Sequence, residues 1–524
     1  MADNAYFLGL DIGTSGVKAV LFNETGKMMG SAHREYHFSN PKPGWSEIDP
    51  EEVWGKTKSA INECVIQSTV PADRIKALGL SVLGETCMPL DEKGNSLYPA
   101  IDSQDKKENG YQKYLNWFQD RYGAEKIYQI TSYPLAFIAP ALRLMWLQDH
   151  EPEIFRRMVK FVTFQDFTLL RLTGKTFIDY SMASRTLLFD AQKKSWVKEF
   201  LDDLNVSSEI LSEPCLSSNV VGHLSEEIAN ELGLSPDVMI VAGAHDQSCS
   251  SLGIGGIQEG IASDGTGSVE AIGTPTHAPF ISQSYHDLGF SSECHLNPDL
   301  YLALGYHLTA GSLVRWYRDY LGKFEIQKAQ SENRDAYQLI TESAQQSPPG
   351  ANGLLVLPHW SGAGTGHYPM LNPSSRGAIL GLTLAHKKSD LDRAIFEGIC
   401  FEARLIIETF EKAEIPIDAF VVTGGGAKSP FWLQLKADII GKPMKVPETT
   451  EASAMGAAML AAVGSGFFIN FEDAVKNFCR IKAEYFPEQS TKGRYDHIFN
   501  IYQDLYQSVI DINTRLSRVD FEKF

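Results

Sequence analysis

A short segment near the N-terminus combines groups that could bind phosphate and a metal ion. The segment Asp11-Ile-Gly-Thr-Ser-Gly16 is followed by Lys18. Its two glycines let backbone N–H groups approach phosphate oxygens closely, and Thr14 and Ser15 add hydroxyl donors. Lys18 adds a positive charge, and Asp11 could hold Mg²⁺ through water. We therefore predict a phosphate-binding turn here, with an ordinary hairpin carrying a polar turn as the alternative.

A second glycine-rich turn repeats this pattern in the other half of the chain. Gly13–Val20 aligns with Gly265–Ile272, and both segments open on a Gly-Thr pair. If the match is not chance similarity, the chain contains a duplicated domain whose second copy starts near residue 256. Two such turns facing one another would hold a polyphosphate across an interdomain cleft.

A third loop, Gly424–Gly426, comes after an apolar strand and before a helix. Ser429 fits the N-cap of that helix, Pro430 its first position and Gly441 its end. A helix N-terminus next to a glycine loop favours anion or nucleotide binding. The alternative is a glycine-rich turn that is needed only for packing.

One carboxylate is placed as a general base would be. Asp246 lies in Ala242–Gln247, directly after the apolar strand Val238–Val241. Phosphoryl transfer needs a group that orients and deprotonates the attacking hydroxyl. A helix-capping role for Asp246 is the alternative, and His245 is the competing base, although adjacent side chains usually point in different directions.

Two more acidic residues, Glu85 and Asp105, lie near apolar strands and are suited to holding sugar hydroxyls. Each, taken alone, is more often structural than functional. The thirteen histidines show no H-E-x-x-H or other metal-ligand spacing, so we expect no tightly held catalytic metal.

The elements that must position these residues alternate between strands and helices. Tyr6–Asp11 and Val17–Phe22 are predicted strands, and Asn23–Gly26 a hairpin turn. A capping box at Ser389–Asp392 is predicted to open a long amphipathic helix. The longest uncharged run, Ala452–Phe471, is rich in alanine and glycine and predicts a buried helix and a turn rather than a membrane span. This alternation favours an α/β architecture.

Composition narrows the classes of partner. The 524 residues include 47 Lys and Arg against 65 Asp and Glu, a net charge of −18, which disfavours nucleic acid. Hydrophobic residues make up 43%, enough to exclude disorder as the main state. Seven scattered cysteines without a C-x-x-C spacing favour a reducing compartment, and the N-terminus does not resemble a signal peptide. We expect a soluble, cytoplasmic protein without a membrane partner.

The ordered set of motifs resembles the FGGY family of carbohydrate kinases, within the actin/hexokinase-like ATPase superfold. The resemblance runs from Tyr6 to about Gly466. It is carried by five segments: Leu8–Lys18, Pro43–Pro50, Gly377–Leu382 with the residues up to Glu397, Val422–Ala427 and Thr450–Ala458.

The resemblance implies a fold and a site. The fold class would be α/β, with two duplicated actin/hexokinase-like (ribonuclease H-like) domains around an interdomain cleft. Residues 1–255 would bind sugar and carry the first phosphate loop and the base, 256–466 would bind ATP, and 467–524 would form a helical tail. Asp246 would be the catalytic base, with Asp11 near Mg²⁺. ATP and Mg²⁺ are the implied cofactors and a small-molecule sugar the partner; whether the chain forms a homodimer stays open.

Further positions follow residue by residue from the same resemblance. Thr14, Lys18, Gly265, Thr266 and Gly311 would touch the ATP phosphates, and Gly425, Gly426 and Ser429 would lie around the nucleoside. Glu85, Asp105, Asp246 and Gln247 would bind the substrate.

The substrate is expected to be a ketose phosphorylated at a terminal hydroxyl. Leu83-Gly-Glu85 departs from the Gln-Met-His of xylulose kinases and resembles the Arg-Glu-Thr of glycerol kinases, with Gly84 in place of the arginine. Asp179–Asp190 and Gly243–Gln247 are most similar to L-fuculose kinases. A ketohexose such as L-fuculose or a ketopentose such as xylulose is therefore expected, with a glycerol or polyol kinase as the alternative. A non-catalytic actin-like ATP switch is the alternative from another class, and a pure sugar-binding protein leaves the nucleotide-compatible loops unexplained.

Overall fold

The structure, a computed structural model, describes residues 5–367, 372 and 374–519. The first four residues and the last five of the predicted tail lie outside the described residues. In the first half the elements are β1 Tyr6–Gly13, β2 Gly16–Asn23, β3 Met28–Arg34, β4 Phe38–Ser39, β5 Glu47–Ile48, α1 Pro50–Ser68, β6 Ile75–Val82, β7 Cys87–Leu90, β8 Ala100–Ile101, α2 Lys107–Tyr122, α3 Ala124–Thr131, α4 Pro140–His150, α5 Pro152–Arg157, β9 Lys160–Thr163, α6 Phe164–Thr173, β10 Phe177–Asp179, α7 Tyr180–Ser184, β11 Phe189–Asp190, β12 Ser195–Trp196, α8 Lys198–Asp203, β13 Glu213–Cys215, β14 Val220–His223, α9 Glu226–Leu232, β15 Met239–His245 and α10 Asp246–Gly253.

The second half continues the alternation of strands and helices. Its elements are β16 Gly260–Thr266, β17 Glu270–Thr276, α11 Gln283–Leu288, β18 Ser291–Cys294, β19 Tyr301–His307, α12 Gly311–Tyr320, α13 Lys323–Glu332, α14 Ala336–Ala344, β20 Leu355–Leu357, β21 Ala378–Leu380, α15 Lys388–Lys412, β22 Ile417–Gly424, α16 Pro430–Ile440, β23 Met444–Pro447, α17 Ala452–Gly464, α18 Phe471–Phe478, β24 Ile481–Tyr485 and α19 Gln489–Ser517. Among the described residues, none of these helices combines the length and apolar character that a bilayer crossing requires.

Two large sheets share one topology. The first has the order β14-β15-β6-β1-β2-β3 and the second β18-β19-β17-β16-β22-β23-β24. Each sheet contains an antiparallel meander, β1-β2-β3 in the first and β16-β17-β19 in the second. Beside the first strand of the meander lie two further strands parallel to it, β6 and β15 or β22 and β23. An antiparallel strand, β14 or β24, lies at the edge beyond them. The aligned segments Gly13–Val20 and Gly265–Ile272 both fall on the opening hairpin. The expectation of two duplicated α/β domains is confirmed.

Helix α17 packs on the first sheet, although β23, the strand that directly precedes it in the chain, belongs to the second sheet. A Cβ atom placed on Gly9 or on Gly79 would overlap the carbonyl oxygen of Ala454 or of Ala457. A Cβ on Gly456 would overlap the carbonyl oxygen of Cys249 in α10. Helix backbone therefore lies directly on the strand backbone of the first sheet.

The C-terminal segment is more than a helical tail. Helix α18 packs beside α17 through Phe471 and Phe478, in a core that also contains Phe7 and Phe22 of the first sheet. Strand β24 then pairs antiparallel with β23 at the edge of the second sheet. Helix α19 closes the second domain, where Tyr495 and other aromatic residues are buried. The chain thus crosses to the first domain and returns.

The short-range predictions have mixed outcomes. Ser429 is the N-cap of α16, Pro430 opens the helix and Gly441 ends it in the left-handed region. The uncharged run from Ala452 forms α17 followed by a turn, as predicted. The predicted start of α15 is wrong, because the helix begins at Lys388 and the Asp390 carboxylate accepts from the Lys387 N–H at 2.8 Å.

Candidate active site

Asp246 lies where a central strand of the first sheet ends. It follows β15, which runs parallel to β6, and it is the first residue of α10. Its side chain is 27% exposed, and its Oδ1 lies 3.1 Å from Nε2 of His245. Burial raises the pKa of Asp246 above its usual value; His245 and Arg185 oppose the rise, and Glu85 adds to it. Asp246 is therefore a partly accessible carboxylate inside a group of charges.

Those charges form a buried network. Arg185 donates from Nε to Glu85 at 2.6 Å and from a terminal nitrogen to Glu293 at 2.9 Å. Nδ1 of His245 lies 3.1 Å from the other oxygen of Glu293, and the Tyr133 hydroxyl donates to Glu85 at 3.3 Å. Glu293 comes from β18 of the second sheet, whereas the other four residues come from the first half of the chain. The network therefore spans the two domains.

Electrostatics set the charge state of this network. Burial alone raises the pKa of Glu293, but His245, Arg185 and the Ser248 hydroxyl bring it down to about 2. For His245 the effects have the opposite signs. Burial lowers its pKa, but the neighbouring Glu293 and Asp246 raise the pKa overall above the usual value. Three acidic side chains, of Glu85, Glu293 and Asp246, thus lie around one guanidinium and one imidazole.

Asp11 lies on β1, close to Asp246. The Ser81 hydroxyl of β6 donates to its Oδ1 at 2.7 Å. Burial raises the pKa of Asp11 to about 7; Asp246 and Glu451 add to the rise, and Ser81 and Lys18 oppose it. Two neighbouring carboxylates that disfavour each other's ionisation provide the oxygen ligands that Mg²⁺ prefers. The oxygen atoms present therefore fit a Mg²⁺ ion, which Asp11 would hold.

The β1–β2 turn leaves Thr14 and Ser15 exposed, as a phosphate-binding turn requires. Lys18 is already paired, because its ammonium lies 2.6 Å from the Glu451 carboxylate just before α17. A phosphate group would have to compete with Glu451 for this lysine.

The glycine turns of the second sheet lie together. A Cβ on Gly424 would overlap the carbonyl oxygen of Thr266, and one on Gly311 would overlap that of Gly267. The N–H of Gly311, at the start of α12, donates to the carbonyl of Gly267 at 2.9 Å. The structure thus brings the Gly265–Gly267 turn, the α12 N-terminus and the Gly424–Gly426 loop, which contains Gly425, into one place.

Two of the hydroxyls expected near ATP have protein partners. The Thr266 hydroxyl donates to Asp264 at 2.9 Å and accepts from the Lys436 ammonium at 2.6 Å. The Ser429 hydroxyl accepts from the Trp432 N–H at 3.3 Å as a helix cap. Because its hydroxyl is engaged by protein groups, Thr266 would contact phosphate through its backbone.

The residues predicted to bind sugar have different surroundings. Glu85 lies in the charged network beside Asp246. Gln247 points toward the second sheet, where its Oε1 lies 3.9 Å from a Cβ position built on Gly265. Asp105 is fully buried and accepts from the N–H of Ser46 at 2.7 Å and from the Lys107 ammonium at 2.9 Å. Its sugar-binding role stays a prediction.

Sequence reasoning assigned no role to Arg185, Glu293 or Tyr133. Arg185 lies inside the segment Asp179–Asp190 that carried part of the family resemblance, so a cation there could have been noticed. Glu293 has no local motif around it, and its partners lie 45 to 108 residues earlier in the chain.

The comparisons with known proteins cover almost the whole chain. A model of the FGGY family of carbohydrate kinases, N-terminal domain, matches residues 6–253, and one of its C-terminal domain matches residues 260–465. The xylulose kinase of Staphylococcus epidermidis is 32% identical over 97% of this chain and 98% of its own length. The gluconokinase of Bacillus subtilis is 28% identical over 96% and 95%. The ligand-bound xylulose kinase of Lactobacillus acidophilus superimposes with a TM-score of 0.87 at 25% identity, over 97% of this chain and 98% of that one.

Proposed function

Because the chain belongs to the FGGY family of carbohydrate kinases, we propose that it transfers a phosphoryl group from ATP to a terminal hydroxyl of a ketose, with Asp246 as the general base. ATP-dependent phosphorylation of a sugar is the activity of its class. The finer assignments, of the base and of the substrate, rest on the charges and positions of the residues in the site.

The position of Asp246 carries the proposal. It directly follows β15, an interior strand of the first sheet, and Oε1 of the adjacent Gln247 lies 3.9 Å from a Cβ position built on Gly265, near the end of β16 in the second sheet. A hydroxyl bound beside Asp246 would therefore lie next to the glycine turns expected to hold the phosphates. Asp246 accepts the hydroxyl proton as the phosphoryl group moves in line.

The remaining residues would orient the base and neutralise the charge of the phosphates. Backbone N–H groups of the glycine turns would donate to phosphate oxygens, and Asp11 would hold Mg²⁺, which supplies positive charge to the phosphates when bound. His245 holds the Asp246 carboxylate from one side through Nε2, while its Nδ1 is anchored on Glu293. The base is thus fixed by a group that itself has a fixed orientation.

The charge of the site favours a neutral sugar over a sugar acid. Arg185 is shared between Glu85 and Glu293, so this guanidinium is not free to bind a substrate carboxylate. A negatively charged substrate would also meet the carboxylate of Asp246. A ketose such as xylulose or L-fuculose is therefore the proposed substrate, in preference to gluconate.

A substrate panel tests this proposal. ADP release from Mg·ATP would be measured with ketopentoses, ketohexoses, glycerol, other polyols and gluconate, with a control that contains no sugar. We expect the highest kcat/KM for one ketose. A preference for gluconate would contradict the charge argument, and a preference for glycerol would transfer the assignment to the polyol alternative. ATP hydrolysis insensitive to every sugar would indicate the non-catalytic ATP switch.

A further inference from the structure

Three side chains with metal-binding atoms meet inside the second domain, away from the charged network around Asp246. They are His359 and His367, from the segment between β20 and β21, and Glu402, from the middle of α15. One ligand atom from each lies within 4.8 Å of the others. All three residues are buried, and His359 is fully so.

The distances between these atoms suit a small divalent ion. Nε2 of His367 lies 2.9 and 3.0 Å from the two carboxylate oxygens of Glu402. Nε2 of His359 lies 3.3 Å from one of those oxygens. Ligands bound tetrahedrally to Zn²⁺ at about 2.0–2.1 Å are separated from one another by about 3.3 Å. The His359–Glu402 separation already matches this value, whereas the His367–Glu402 separations would have to widen by about 0.3 Å to admit an ion.

The second ring nitrogen of His359 is held as a metal ligand's would be. Nδ1 lies 2.8 Å from the Ser375 hydroxyl, which fixes the ring and turns Nε2 toward Glu402. The Tyr502 hydroxyl of α19 donates to Glu402 at 2.5 Å and orients the carboxylate. Hydrogen bonds from such neighbouring groups to the ligands are typical of protein metal sites.

One atom of the group is poorly satisfied without an ion. Nε2 of the fully buried His359 makes no well-formed hydrogen bond, although it lies 3.3 Å from an oxygen of the Glu402 carboxylate. Leaving a buried polar atom without a partner costs about 1–3 kcal/mol. A bound cation would satisfy this nitrogen and the carboxylate together.

We propose that His359, His367 and Glu402 bind one Zn²⁺ ion, with a water molecule in the remaining position. Two imidazoles and a carboxylate are ligands typical of zinc, whereas Mg²⁺ prefers oxygen ligands alone. The ion joins the segment after β20 to α15 and, through Tyr502, to α19. Its role is structural and separate from the Mg²⁺ expected at Asp11. The site was not predicted because spacing motifs detect neighbouring ligands, and Glu402 lies 35 residues beyond His367.

Metal analysis of the full-length protein tests the proposal. Protein purified from zinc-supplemented cells without chelators would be dialysed and analysed by mass spectrometry, with about one zinc per chain expected. After chelator treatment, Co²⁺ would be titrated into the wild-type protein, and the visible absorption of a tetrahedral Co²⁺ site is expected to appear and then to be lost on addition of Zn²⁺.

Variants connect the metal to these residues. Glu402→Gln and His367→Asn are each expected to weaken zinc binding by at least about 100-fold. His295→Asn, which changes another buried histidine, is expected to leave the metal content unchanged. The proposal is overturned if the chelator-treated wild-type protein binds neither Co²⁺ nor Zn²⁺, or if both ligand variants keep the wild-type zinc content. The wild-type measurements decide even if a variant fails to fold.

Discussion

Nε2 of His245 lies 3.1 Å from Oδ1 of Asp246, so the residue that precedes the proposed base in the chain also contacts it in space. Neighbouring side chains usually diverge, but the chain turns here from β15 into α10. The His245 ring contacts Asp246 through Nε2 and Glu293 through Nδ1. The proposed base and the neighbouring imidazole therefore form a pair with a fixed orientation.

Replacing the base is the most direct prediction. Asp246→Asn keeps the shape of the side chain but removes its ability to accept the hydroxyl proton, so kcat should fall by about 10²–10⁴-fold. The KM for ATP should change little, because the glycine turns are untouched. Steady-state ADP release measures both constants. Asp237→Asn, on the turn before β15, is the matched control, and near wild-type turnover by Asp246→Asn would refute the assignment.

The pH dependence should follow the charges around Asp246. The base works when it is deprotonated, and its pKa is raised, so kcat/KM should fall as the pH drops through that raised pKa. Glu85→Gln removes a negative charge that raises this pKa, and the acid limb should move to lower pH. His245→Gln removes a positive charge that lowers it, and the acid limb should move to higher pH, by about one unit.

Profiles of kcat/KM at saturating Mg²⁺ would measure these two shifts. Their opposite signs make the test specific, since general damage to the site would lower the whole curve without moving its limb. Shifts of both variants in the same direction would contradict the electrostatic account.

The pair of Lys18 and Glu451 predicts a competition with ATP. Because Glu451 occupies the lysine ammonium at 2.6 Å, Glu451→Gln should free Lys18 for phosphate and lower the KM for ATP. Lys18→Met should raise that KM. In the double variant the effect of Glu451→Gln should disappear, since no lysine remains to be released. Equal effects of Glu451→Gln with and without Lys18 would exclude a phosphate role for this lysine.

The close contact between α17 and α10 predicts opposite results for two glycine-to-alanine changes. Gly456→Ala would push a methyl group into the carbonyl of Cys249, and the protein should lose at least about 2 kcal/mol of stability. Gly55→Ala, in α1, meets nothing within 4 Å and should gain about 0.5–1 kcal/mol through reduced backbone entropy. Thermal unfolding compares the two, and equal melting temperatures would show that the helix can shift away.

Features that depend on a few adjacent residues were predictable from the sequence. The opening hairpin, the Asn23–Gly26 turn, and the start of α16 at Ser429 and Pro430 each follow from local turn and capping chemistry. The start of α15 was misplaced because two aspartates, Asp390 and Asp392, compete for the same capping role, and only the three-dimensional path of Lys387 decides between them.

Features that depend on distant partners were not predictable. Arg185 meets Glu85 and Glu293 across 100 and 108 residues, and neither spacing leaves a pattern in the sequence. The hydrophobic pattern of α17 predicts that the helix is buried, but not which sheet buries it. That choice depends on Gly9 and Gly79, which belong to strands more than 370 residues earlier.

The placement of α17 has a consequence for the synthesis of the protein. The last strand of the first sheet ends at residue 245, but α17, the helix that covers the face of this sheet at Gly9 and Gly79, ends at Gly464. Domains generally fold as the chain emerges from the ribosome. The N-terminal half cannot complete its packing in this way, because one apolar face of its sheet stays uncovered until almost the whole chain has been translated. During that interval the nascent chain is expected to expose apolar surface that is prone to aggregation.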